Sequence, residues 1–356
     1  MSLKLSKNAL FQYVCLYIML FVNQSSAFHN IYSNYALVIA VLFCFLIILK
    51  KRFDTYSIGF IALLFGFMHI VRLWTDGGVG IGAWALWACM ISTTYFTIIL
   101  NRKMFVPRFI KLVYSLAIVS LIGYVISLIS PELLRSVLTP YDNASYWRQW
   151  SNSTDYIAHS YKAYGLWLYV LNDNHITRNC GIFTEPGIYQ MVLNTALFFL
   201  IFFEDNLLID SKKRSRMIVV LSITLLSTQS TTGYLMFIVM IMGYLVKHNE
   251  FKDKIKGRII FIMVLVGIAL IVDYNVRNQD SILAVSIFNK LFTESGQFSV
   301  AANSGDARTG TILICLASMF THPLGVGYTR VHELLNVKET GYLAAQIFQT
   351  GAAMGI

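Results

Sequence analysis

The sequence predicts an all-α integral membrane protein, one polytopic domain over residues 1–356 with about ten transmembrane helices. Three observations carry this. The chain is 56% hydrophobic and only 13% charged, with a mean hydropathy of +0.62, where a soluble domain carries about 25% charged residues. Apolar runs long enough to approach a bilayer's roughly 30 Å core recur from end to end. The basic residues are not scattered but gather in alternate connectors.

Taken in order, the predicted spans are 9–22, 35–49, 56–72, 81–100, 112–130, 186–203, 217–230, 232–246, 259–272 and one from about 342 to the end. Basic clusters fall at Lys50-Lys51-Arg52, at Arg102-Lys103 with Arg108 and Lys111, at Lys212-Lys213-Arg214 with Arg216, and from Lys247 to Arg258. Placing these connectors and the amino terminus in the cytoplasm collects 18 of the 28 basic and 6 of the 18 acidic residues there. The net charge of +10 therefore reports orientation by the positive-inside rule and not a nucleic-acid surface. Pro107 falls in a cytoplasmic connector, and Pro131 and Pro140 lie just past a span. The five cysteines have no metal-like spacing and read as packing residues. Of these, Cys180 and Cys315 would both face outside. No cleavable signal peptide is expected, and the last residues, TGAAMGI, read as a sequence cut short within or after a span.

Two loops are much longer than the rest and both are extracytoplasmic, 131–185 and 273–341. The first is rich in aromatics, among them Tyr141, Tyr146, Trp147, Trp150, Tyr156, Tyr161, Tyr164, Trp167 and Tyr169. They read either as a headgroup-level belt or as a stacking surface for sugar rings. An amphipathic interfacial helix is expected near 155–171. In the second loop, 311–320 is apolar but too short to span and lies in the interface or re-enters. Were it to span, 321–341 would be cytoplasmic. The segment STQSTTGY, Ser227 to Tyr234, joins two short apolar runs, which places its polar turn below the membrane surface. Such backbone either lines a cavity or packs helices through small hydroxyl residues.

The candidate chemistry lies at Arg178 and Glu185, ahead of the span that opens with Pro186. Proline suits a first helical turn, so Glu185 stands at the N-cap, where the helix dipole favours negative charge. One reading is a capping carboxylate paired with Arg178. The other is an anion and sugar site: arginine's fork suits a diphosphate, Gly181 and Gly187 let backbone approach closely, and a carboxylate beside them serves as general base towards a sugar hydroxyl. The second loop supplies Arg308 in SGDARTG, then His322 and Arg330 in THPLGVGYTR. His322 before Pro323 reads as a turn residue, a proton carrier or a donor to substrate. The glycine-rich PLGVGYT lacks the lysine and spacing of a phosphate loop. No D-x-D sequence and no metal or cofactor site is evident.

With R-x-x-G-x-x-x-E-P at a span's start, the hydroxyl-rich hairpin and an arginine-headed segment leading to H-P-L-G-V-G, the chain resembles the bacterial O-antigen and capsular polysaccharide polymerases of Wzy type and the related O-antigen ligases. The resemblance covers about residues 170–350. It implies a metal-independent glycosyltransferase of the bacterial inner membrane, active on the periplasmic side, that joins undecaprenyl-diphosphate-linked oligosaccharide repeats. It further implies that Arg178 and Arg308 hold the diphosphate and that Glu185, then His322, are the candidate bases. Gly181, Gln229, Ser230, Thr231, Arg330 and His332 would make weaker substrate contacts, and a chain-length regulator and a flippase would be partners. His332 with Asn336 falls where the ligases carry a histidine, without their His-Asn pair, which favours polymerase over ligase. A flippase or transporter is the alternative from another class. It would place ionisable residues inside the spans, where His69 stands alone and Arg72 marks an edge.

Reporter fusions test the orientation. Alkaline phosphatase fused after residue 150 or 300 is expected to be active, and after Lys51, Lys111 or Lys213 inactive. Activity at the last three would reverse the topology.

Overall fold

A computed structural model describes residues 6–23, 25–50, 54–76, 80–143, 161–204, 207–247, 275, 315–322 and 326. The described part is mostly helical: α1 (Lys7–Val22), α2 (Ala36–Leu49), α3 (Thr55–Asp76), α4 (Ile81–Leu100), α5 (Arg102–Ile129), α6 (Pro131–Val137), α7 (Pro186–Phe202), α8 (Ser211–Ser227) and α9 (Thr231–Lys247). Eight of the predicted spans coincide with these helices; those at 259–272 and beyond 342 lie outside the described residues. Among the described residues, three helical stretches, Phe28–Leu49, Ile81–Leu100 and Arg102–Ile129, are long and apolar enough to cross a membrane.

Two helices start earlier than expected because a polar side chain caps them. Asn101 Oδ1 accepts from Met104 N at 3.2 Å, so α5 begins in the predicted connector and carries Pro107 inside it, at the cost of one intrahelical bond. Asp210 accepts from Lys213 N at 3.4 Å, which draws the whole basic cluster into α8.

The helix expected near 155–171 is overturned over its described part. Tyr161–Tyr164 is a strand (β2) between β1 (Pro140–Asn143) and β3 (Leu171–Asn172), antiparallel to both. Gly165, at a φ of +96°, ends β2 in a conformation no helix continues through, and a Cβ there would sit 2.2 Å from the Tyr169 carbonyl oxygen. Several of the loop aromatics make contacts within the protein. Tyr169 is buried beside Leu134 and Leu171, Trp167 stacks on Phe21 of α1 with ring centres 4.9 Å apart, and Tyr141 donates to Ser26 Oγ at 2.7 Å.

The chain divides into two compact units. One comprises Met1–Arg52, Ala85–Ser145 and His159–Ile262, the other Phe53–Trp84, Tyr146–Ala158 and Met263–Ile356. In the first, α1, α5, α7, α8 and α9 share a core that includes Leu16, Val113, Leu197, Leu221 and Met240. Its surface is apolar as well as its core, and polar side chains are buried among the helices. Gln12, Thr97, Ser120, Gln190, Asn194 and Thr224 are buried, while Leu37, Val41, Ile122, Val219, Ile223 and Val239 face outward. The buried hydroxyls bond carbonyls of their own helices, as Thr97 Oγ1 does to Thr93 O at 2.6 Å and Thr224 Oγ1 to Val220 O at 2.8 Å. Gln12 ties α1 to the α4–α5 junction, donating to Thr97 O at 3.0 Å and Asn101 O at 3.1 Å while Arg108 donates to its Oε1. In the second unit, α3 and the start of α4 meet where His69 and Phe65 pack edge-on to Trp84.

Gly123 lets the β-sheet segment close on α5, because a Cβ there would lie 2.7 Å from the Tyr169 ring. Gly123→Ala is expected to cost about 1–3 kcal/mol, read as a lower unfolding temperature of the detergent-solubilised protein.

Candidate functional site

The loop that precedes α7 folds into the end of the helix bundle around Asn179, which is fully buried. Its Nδ2 donates to Ser120 Oγ at 3.2 Å and Ser227 Oγ at 3.0 Å, its backbone N–H to Ser227 O at 2.9 Å, and its Oδ1 accepts from Gly181 N at 3.0 Å. Ser120 Oγ also meets the Tyr189 hydroxyl at 2.8 Å. One asparagine thus joins α5, α7, α8 and the loop. Sequence reasoning passed over Asn179, Ser120 and Tyr189. The available signal was a serine in the middle of an apolar span, since a buried hydroxyl in such a helix needs a partner.

Gly181 belongs to this arrangement. It has a φ of +59°, and a Cβ on it would lie 2.8 Å from the Tyr189 ring. Its carbonyl accepts from Val170 N at 2.8 Å. Beside it the Cys180 thiol is pushed up to about 12, chiefly by burial, with Arg178 lowering it and Glu185 raising it. Cys180 is a buried packing residue, and all five cysteines are free thiols, Cys44 alone of them exposed.

Arg178 reaches across to the α8–α9 turn. Its Nε donates to Thr228 O at 3.1 Å and a terminal nitrogen to Gln229 O at 3.1 Å. These carbonyls close α8, where a cation is favoured by the helix dipole. The turn is held from a second side, for Gln229 Nε2 and the Tyr124 hydroxyl both donate to Thr177 O at 3.0 Å. Gln229 sits at a φ of +48°, uncommon for a residue with a side chain. Ser230 is buried, and Thr231 opens α9.

Glu185 is the N-cap residue of α7, with Pro186 at the first helical position, as expected. The capping role of its side chain is overturned: extended at φ −139° and ψ 150°, it makes no side-chain cap bond. It is exposed, and a Cβ built on Gly187 meets nothing within 4 Å.

The fold brings together Arg178, Gly181, Glu185, Gln229, Ser230 and Thr231 at one end of the first unit. The basic residues Arg108, Lys213 and Arg214 fall at the other ends of α5 and α8. His322 belongs to the second unit. It is exposed after the helical residues 315–321, its N–H donates to Ser318 O at 2.8 Å, and its Nδ1 lies 2.9 Å from Thr321 Oγ1. Arg308, Arg330 and His332 lie outside the described residues. Among the described residues, no group of three or more His, Cys, Asp or Glu could hold a metal ion.

Asn179→Ala, which removes the acceptor of the Gly181 N–H and the amide donor to Ser120 and Ser227, is expected to cost about 1–3 kcal/mol in thermal unfolding. In native membranes Cys180 is expected to resist maleimide at pH 7.5 and to react only after denaturation. Comparison with family models, with curated proteins and with solved structures finds no match to this chain.

Proposed function

We propose that the chain is a membrane-embedded glycosyltransferase that polymerises undecaprenyl-diphosphate-linked oligosaccharide repeats into O-antigen or capsular polysaccharide on the external face of a bacterial inner membrane. The observation that carries this is a guanidinium pinned by two backbone carbonyls and an exposed carboxylate at the start of α7, both close enough to act on Cys180. The outward apolar faces and inward polar residues of the bundle support the membrane setting. So does the segregation of its basic residues at the opposite end, and the wider reading is the ten-span, N-in topology.

In this reading, a hydroxyl of the incoming lipid-linked unit attacks the anomeric carbon of the growing chain. Its proton passes to Glu185, and the bond from that carbon to the diphosphate oxygen breaks. The lipid diphosphate leaves with the bonding electrons against Arg178 and Arg308. Preorganised cations of this kind act on charge that develops in the transition state. Arg178 needs no reorganisation, because its orientation is fixed by the α8–α9 turn. His322 is the second candidate base. Gly181, Gln229, Ser230 and Thr231 shape the floor, with Arg330 and His332 as further contacts. A flippase supplying repeats and a chain-length regulator are the proposed partners.

The test is surface-polysaccharide length on gels from a polymerase-deleted host complemented with wild type, Glu185→Gln, Arg178→Lys and Arg308→Ala, at matched protein levels in the membrane. Wild type is expected to restore a ladder. Glu185→Gln is expected to lower polymer by about 100-fold or more, and Arg178→Lys, which keeps the charge but loses the fork, to leave mostly single repeats. A normal ladder from Glu185→Gln would remove it as the base. Single repeats from wild type with restored transfer to lipid A would make the protein a ligase, and with restored export alone a flippase.

A further inference from the structure

The end of the bundle opposite the loop carries more positive charge than its carboxylates answer. Arg108 and Lys111 lie one turn apart on the same side of α5, both half-buried, and Lys111 is within Coulombic reach of Lys213 on α8. Lys213 is exposed, whereas the two α5 cations are partly withdrawn from water, and Arg108 is held by Gln12 Oε1. Of the nearby carboxylates, Glu204 is engaged by Arg214 and Asp210 caps its own helix through Lys213 N. Among the described residues none pairs with Arg108, Lys111 or Lys213. Like charges so placed destabilise the helix ends unless an anion answers them.

Below these cations each helix turns an apolar stripe outward. On α5, Lys111 stands in register with Ile118, Ile122 and Val125. On α8, Arg216, itself exposed, stands in register with Val219, Ile223 and Leu226. A cationic head over a continuous apolar stripe has the amphiphilic pattern of a phospholipid in reverse.

We propose that the basic ends of α5 and α8 form a site for the phosphate head group of an anionic phospholipid of the inner leaflet, held by Arg108, Lys111 and Lys213. Its acyl chains lie along the two stripes. The phosphodiester supplies the missing negative charge, and the arginine fork matches its oxygens. The stripes favour a lipid over free phosphate. The proposal rests on the membrane reading but not on glycosyl transfer.

The experiment is thermal unfolding of the full chain in maltoside detergent with added phosphatidylglycerol, phosphatidylcholine or glycerol 1-phosphate. It uses wild type, the Lys111→Gln/Lys213→Gln double variant and, as control, Lys162→Gln on exposed β2. Phosphatidylglycerol is expected to raise the wild-type and control midpoints by about 2–4 °C over phosphatidylcholine. The double variant should lose that rise. In phosphatidylcholine it should unfold no lower than wild type, because it has lost a repulsion; that sign change separates the site from a general folding defect. Equal rises with both lipids, or a full rise in the double variant, would overturn the site, and an equal rise with glycerol 1-phosphate would overturn its lipid character. Extraction of the chain from membranes by alkaline carbonate would instead overturn the membrane reading.

Discussion

Everything at the loop end of this bundle depends on one requirement, that polar groups withdrawn from water find partners inside the protein. Asn179 meets it for three segments at once, α5, α8 and the loop, using its side-chain amide, its acceptor oxygen and its backbone N–H. Ser120 and Ser227, whose hydroxyls donate to Ala117 O and Thr224 O, accept from it, the Tyr189 hydroxyl is drawn into the same network, and the loop is pinned where it must turn back into α7. A buried network of this kind rigidifies when it is complete and is costly when one member is lost. It explains why Gly181 follows two residues later. The chain must pass against the Tyr189 ring in a left-handed conformation, and a side chain would collide there.

Arg178 joins the same frame from the outside. A guanidinium that donates to the carbonyls ending α8 stabilises that helix end and is itself oriented by it. Structural and recognition roles are therefore not alternatives at this position. The bonds that hold the turn are also what would present a rigid cation beside Glu185. The α8–α9 hairpin suits this arrangement, for each helix has 17 residues, about 25 Å of rise, less than a bilayer core. The turn comes within reach of the loop's arginine and of the Thr177 carbonyl.

The distribution of polarity separates the two ends. Capping by Asn101 and Asp210 carries α5 and α8 into the basic connectors, so the cations of those connectors become ordered groups at helix ends. At the loop end, Arg135 donates to Asp173 Oδ1 at 3.0 Å and 3.3 Å.

Composition and the spacing of basic clusters determined the helical class, eight of the helix positions and the tight turn after Ser227, because apolar runs and charge breaks are local, one-dimensional signals. Proline after glutamate likewise determined where α7 begins. The sequence could not reveal that residues 161–164 pair as a strand, since four residues reading Tyr-Lys-Ala-Tyr take their conformation from the partners they find. Nor could it reveal that Arg178 donates to carbonyls 50 and 51 residues away, or that Asn179 and not Glu185 organises the helix start. Those are decided by which buried groups meet when α5, α7 and α8 pack, and hydrogen-bond satisfaction is a property of the assembled interior.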